Sequence, residues 1–276
     1  MIHVHNFSYG ISTPALAYVM SCLGAFIGLQ CTARARASTG RARVGWLLLA
    51  ALSIGTPGIW VMHFIAMLGF TIPGQTIRYN VPLTVFSALV AVVVVGVGLF
   101  VVGFGRGGWR SLLLGGIFTG VGVASMHYIG MSAMRMPDTV KYDTLLVVLS
   151  VLIAIVAGTA ALWAAMQIRG IWSTLAAALI MGVAVSGMHY TGMAAMRVYA
   201  SKPSMDMLTG ATAGGFLLPL IFGLTILTFI LTAIIVLSPT EQEMHEDAAL
   251  MERLNQGPAE RPASQSPAGH TRWPNF

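Results

Sequence analysis

Three short segments of this chain carry the same potential chemistry. Residues 60–67 read WVMHFIAM, residues 124–131 read ASMHYIGM and residues 186–193 read SGMHYTGM, so each contains Met-His-aromatic-x-small-Met. On a helix, residues at i and i+4 share a face, which pairs His63 with Met67, His127 with Met131 and His189 with Met193. In the second and third copies the same face is expected to continue to Met134 and Met196. The methionine before each histidine, Met62, Met126 or Met188, points about 100° away.

A neutral imidazole offers one good nitrogen donor, and a thioether offers a soft, uncharged sulfur. Three imidazoles with one or more thioethers and no nearby carboxylate match copper, above all Cu(I), better than Mg2+ or Ca2+, which take oxygen ligands. A three-histidine Cu(I) centre keeps a coordination position open for O2, NO or CO. Other readings stay open at this point: Zn2+ held by the histidines alone, haem with axial His or His/Met, and a structural role in which each imidazole ties two helices together by a hydrogen bond. His3 and His5 form a His-x-His pair ahead of the first apolar block, placed to deliver a metal or cap a cavity, though two such histidines also occur by chance. Tyr128, Tyr190 and Phe64 suit a membrane-interface belt. The two tyrosines also suit hydrogen bonding behind a metal's ligands, which Phe64 cannot do.

The elements that must position these residues are apolar throughout. Of 276 residues 56% are hydrophobic and 9% charged, with a mean hydropathy of +0.79, outside the range of soluble domains. Apolar blocks long enough to cross about 30 Å of hydrocarbon are predicted at 11–31, 44–67, 83–104, 111–134, 144–167, 171–196 and 214–237. The expected fold is therefore all-α, a polytopic seven-helix transmembrane bundle. Residues 1–10 form an external N-terminal segment, 11–237 the membrane domain and 238–276 a cytoplasmic tail.

The histidines are 64 and 62 residues apart, a period that holds two spans and their loops. Residues 11–196 then read as three two-helix repeats, each with its motif late in the second helix, and the seventh helix stands outside. Spans 2, 4 and 6 run the same way. Counted from their predicted starts, the three imidazoles differ in depth by about 5 Å, which modest tilt would level.

Orientation follows from charge. Arg34, Arg36, Arg41, Arg43, Arg106, Arg110 and Arg169 fall in links on one side with no acidic residue. The other side carries Arg78, Arg135, Lys141, Arg197 and Lys202 with Asp138, Asp143 and Asp206. By the positive-inside rule the first side is cytoplasmic, so the N-terminus and the motif ends of the helices face outward. The net charge of +6 is thus a topology signal, compatible with anionic lipid contact, and no contiguous basic face points to nucleic acid. The first ten residues lack Lys and Arg and do not read as a cleaved leader.

All nine acidic residues lie in outer loops or the tail, which argues against a carboxylate-based proton carrier. Neither a phosphate-binding loop nor a nucleophile elbow is present, and no enzyme activity is expected. Cys22 and Cys31 lie nine residues apart on one helix, about 13 Å, too far to pair with each other. In the tail, residues 240–254 form an acidic stretch able to prolong the last helix. The Pro/Gly/Ser-rich remainder is expected to be disordered, with too little chain for an output domain.

At its three motifs the chain resembles the bacterial MHYT-domain family of integral membrane sensors. Residues 188–191 are the literal MHYT string, residues 126–129 read MHYI, and residues 62–65 are a variant with Phe64 in place of tyrosine. The resemblance covers about residues 10–240. It implies a multi-pass protein of the bacterial cytoplasmic membrane that binds copper near its outer face and senses O2, NO or CO. His63, His127 and His189 would be the principal ligands, with Met62, Met67, Met126, Met131, Met188 and Met193 as further ones. A separate cytoplasmic signalling protein or a homo-oligomer would carry the output, because many members resemble receptors fused to cyclic-di-GMP, kinase or DNA-binding domains. A copper-handling or cofactor-assembly protein uses much of the same coordination chemistry and is the alternative reading.

Overall fold

The computed structural model describes residues 5, 7–105, 108–200, 209–237 and 249–252. His3, Arg106, Lys202, Asp206 and the tail after 237 apart from 249–252 lie outside the described residues, and with them most of the expected acidic stretch. Met1–Val236 form one compact unit and Leu237–Phe276 a second, in which 249–252 make a helical turn.

Among the described residues, seven helices of the first unit are long and apolar enough to span a membrane. They are α1 (Ser12–Ala37), α2 (Gly40–Leu68), α3 (Val81–Phe104), α4 (Trp109–Ser132), α5 (Thr144–Gln167), α6 (Ile171–Ala194) and α7 (Leu218–Leu237). Large apolar side chains such as Leu145, Val156, Ile180 and Val183 point outward, as a lipid-facing surface requires. α1 runs six residues past its expected end, and only Ser38 and Thr39 separate it from α2. Arg34 and Arg36 therefore belong to the last turn of α1, not to a link. Arg36 donates to the carbonyls of Ala165 and Ile168 at the end of α5, and Arg43 to Gly103 at the end of α3, satisfying acceptors that a helix terminus leaves open. Cys22 and Cys31 are both free.

Helices α1 to α6 close into a ring, and glycines set the spacing at which each motif helix meets the next one. A Cβ on Gly120 of α4 would stand 2.4 Å from the Ile155 Cα of α5, and one on Gly182 of α6 would stand 2.5 Å from the Cys22 sulfur of α1. On α2 the equivalent contact is Gly55, whose Cβ would lie 2.8 Å from the Val92 Cα of α3. Gly120 and Gly182 precede their histidines by seven residues and Gly55 by eight. The extra residue is absorbed by a π-helical stretch in α2, Ile54–Val61, which contains Pro57.

The ends of α2, α4 and α6 are covered by a lid of short strands: β1 (Arg78–Tyr79), β2 (Met134–Arg135), β3 (Thr139–Tyr142), β4 (Met196–Tyr199) and β5 (Ala211–Thr212). β1 pairs antiparallel with both β2 and β5, and β3 pairs with β4, so all three loops beyond the motifs are stitched together. Met134 and Met196 sit in β2 and β4. The helices stop at Ser132 and Ala194, so the expected continuation of the His/Met face to these two methionines does not occur.

Candidate metal centre

The three histidines reach one level because their helices end in register. α2, α4 and α6 terminate at Leu68, Ser132 and Ala194, each five residues after its histidine, which sets every imidazole about 7.5 Å below the helix end. The expected depth difference came from counting at the starts of the spans and disappears when counted at their ends. The carbonyls that close these ends are occupied alike. Gly69 accepts from the Ser8 N–H at 3.0 Å, Ala133 from Asn80 at 2.8 Å and Ala195 from Asp143 at 2.8 Å. Asn80 and Asp143 then cap the following helices through their side chains.

His63, His127 and His189 are buried to 1%, 0% and 1% exposure and face one another around an approximate threefold axis. Their ring centroids are 4.9, 5.0 and 5.1 Å apart, with the planes crossed at 80° to 87°. The His63 Nδ1 lies 3.0 Å from the Nδ1 of His189 and 3.1 Å from that of His127. One potential ligand nitrogen from each ring falls within 4.8 Å of the others.

This donor set fits a cation better than it fits itself. A neutral Nδ1 is either an N–H donor or a lone pair, so hydrogen bonding among the rings can satisfy His63 toward only one of its two neighbours. The Nε2 atoms of all three rings are buried without a hydrogen-bond partner among the described residues. A metal with nitrogen bonds of about 2.0 Å would hold three donors roughly 3.3–3.5 Å apart, a few tenths wider than the two short contacts observed. With ring centroids about 5 Å apart, no two imidazoles leave space for a macrocycle between them, which disfavours haem.

The space for two of the rings is provided by the next motif. A Cβ on Gly130 would lie 2.5 Å from the His63 Nε2, and one on Gly192 would lie 2.3 Å from the His127 Nε2. These small residues, expected to serve helix approach, make room for an imidazole. Met62, Met67, Met126, Met131, Met188 and Met193 are all buried in the same core, and Met188 lines a cavity beneath the histidines. The aromatics behind the triad are individually anchored. The Tyr128 hydroxyl bonds the Ser150 Oγ at 2.6 Å, while Phe64 packs at a tilt against Trp60, whose indole N–H donates to Ser87 at 2.9 Å. Ser87 and Ser150 both stand seven residues after a helix-capping residue, a pattern visible in the sequence only once the caps are known. The Tyr190 hydroxyl has no such partner among the described residues, and its ring packs on Phe7 at 5.6 Å. His5 lies at the lid, where its backbone bridges to Thr71.

The family pattern described as the MHYT bacterial signalling protein N-terminal repeat matches residues 57–115, 120–178 and 182–243, well over half of the chain. The chain belongs to the MHYT family. The MHYT pattern cuts the repeat so that each motif helix is grouped with the helix after it, leaving α1 as the odd helix. The backbone bonds at the lid instead join each motif helix to the lead-in of the helix before it, the frame expected from the histidine period. Both frames describe one threefold ring.

Among its MHYT relatives, the bifunctional diguanylate cyclase/cyclic di-GMP phosphodiesterase MucR of Pseudomonas aeruginosa is 39% identical over 68% of this chain and 28% of its own length. The cyclic di-GMP phosphodiesterase NbdA of the same organism is 38% identical over 70% of this chain and 25% of its own length. The signaling protein YkoW of Bacillus subtilis is 31% identical over 70% and 24%. The chain spans about a quarter of the length of these relatives. No solved structure matches it. Seven apolar spans and membership of the MHYT family make it a multi-pass inner-membrane protein with an MHYT sensor domain.

Proposed function

We propose that this MHYT domain is a copper-binding sensory module. His63, His127 and His189 hold the ion near the outer face through Nδ1, and Met67, Met131 and Met193, phased with the histidines, serve together with the adjacent Met62, Met126 and Met188 as further soft donors. The observation that supports this most directly is the convergence of three buried, incompletely satisfied imidazoles from three helices. Bound copper would supply a centre that takes a diatomic gas or changes oxidation state. The protein's own part is to fix the three rings, exclude water and hold the nitrogen lone pairs unprotonated toward one point.

The relatives named for cyclic-di-GMP turnover match over only a quarter or so of their length. We infer that their activity resides outside the matched region and that this domain biases such an output, in a partner protein or an oligomer, within a lipid bilayer and without nucleic acid. The alternative of copper handling draws on the same ligands and differs in predicting metal transfer.

The test is metal content of the detergent-purified chain against the His63→Ala/His127→Ala/His189→Ala variant. Copper retained by the former and lost by the latter is expected. Equal copper in both removes the site, and zinc retained in preference to copper overturns the metal assignment.

A further inference from the structure

Directly beneath the triad, between α2, α3, α4, α5 and α6, lies a cavity of about 50 Å³. Its ceiling is formed by Ile59, Val123 and Val185, each four residues before a motif histidine, so it sits on the histidine faces of all three motif helices, about 6 Å further along their axes. Met188, adjacent to His189, also lines it. On the far side α5 contributes small residues, among them Ala154 and Ala157, and their short side chains are what leave the space open.

The chemistry of the lining restricts the occupant. The cavity is several times larger than the roughly 10–15 Å³ that one water needs, but a buried water also needs two to four polar partners. Thr119 is the polar side chain among the lining residues, and its hydroxyl leans on the Val94 carbonyl at 3.5 Å. Helical backbone groups are already paired. A dry, aliphatic space of this size excludes ions and water and accepts a neutral solute of two or three heavy atoms, of the kind that partitions from water into the bilayer.

We propose that this cavity is the docking chamber from which a neutral diatomic gas reaches the histidine centre, arriving through the apolar body of the bundle rather than through the polar lid. The chamber rests on the reading of the triad as a gas-responsive copper site. Met188, an unbranched and adaptable side chain adjacent to His189, connects the chamber wall to the motif.

Xenon is the probe for the chamber because it needs no metal. Xenon-129 NMR of the metal-free full chain should report a bound atom, and Ala157→Leu should abolish it while copper content stays at the wild-type level. With copper-loaded, reduced protein, the same variant should bind CO about tenfold more slowly, equivalent to ~1.4 kcal/mol on the barrier. Should Ala157→Leu not fold, Val123→Ile and Val185→Ile fill the space by one methylene each and should slow CO in proportion. CO binding without xenon binding, or an unchanged CO rate in a filled, xenon-free variant, overturns the chamber alone. Xenon binding with no CO bound by the copper-loaded wild type overturns the gas reading of the centre, and the chamber's role with it.

Discussion

At the scale of single residues, the position three after each histidine carries the sharpest expectation. Gly130 and Gly192 lie under the imidazoles of the preceding motif, where a methyl group would stand 2.5 and 2.3 Å from Nε2. Retreat is blocked on the other edge, where the His63 Nδ1 meets two further imidazoles at 3.0 and 3.1 Å and the His127 Nδ1 meets that of His63 at 3.1 Å. Gly130→Ala and Gly192→Ala should each tilt a ring out of the cluster, costing about 1–3 kcal/mol by overpacking. Copper content should drop in step with the thermal midpoint. The first copy has Ala66 at this position, so Ala66→Gly should leave copper content near wild type. Wild-type copper in Gly130→Ala would show that the glycine serves helix spacing instead. The sequence disclosed that these residues are small and repeated. It did not disclose which neighbour needs the space, because that neighbour lies 67 residues earlier for Gly130 and 65 earlier for Gly192.

At the scale of elements, the spans were legible to within a few residues because a bilayer-crossing helix needs a long apolar run, and such runs are hard to mistake. α1 was the exception. Two arginines in its last turn read as the end of the helix, whereas Arg36 in fact finds carbonyls at the end of α5. The lid strands were not legible, being two to four residues long, too short for an alternating pattern. The π-helical stretch was hidden as well, since one extra residue in α2 changes no local signal and shows only in the contact it preserves. That contact can be graded by Gly→Ala substitution. Gly120→Ala drives a Cβ to 2.4 Å from backbone on α5 and should destabilise by several kcal/mol. Gly55→Ala, at 2.8 Å beside a π-helical turn that can adjust, should cost less. Gly187, with nothing within 4 Å, should gain up to ~1 kcal/mol from helix propensity when made alanine. Thermal unfolding in one detergent ranks the three, and any other order would mean that the ring is not held by these glycine contacts.

At the scale of the whole molecule, the two ends of the ring differ in chemistry. The motif end is closed by interlocked strands, with Asp138 accepting from Gln75 at 2.7 Å and the N-terminal segment bridged at His5 to Thr71. The opposite end carries arginines whose guanidinium groups cap helix termini beside a cavity of about 250 Å³. By the positive-inside rule, the seven basic and no acidic residues that the sequence puts in or beside the links of that side, against five and three of the other, predict that the lid faces outward. With that orientation, a metal bound by the triad about 7.5 Å below the helix ends would be loaded from the exterior, and a change in its state would reach the cytoplasm along the helices. With Cys22 and Cys31 replaced by serine, Thr139→Cys on β3 and Thr39→Cys between α1 and α2 report the two ends, both positions being exposed. A membrane-impermeant maleimide should label Thr139→Cys in spheroplasts and Thr39→Cys only after lysis. The reverse pattern would place the triad at the cytoplasmic face, where the reducing pool would hold copper as Cu(I) and the centre could report no external redox state.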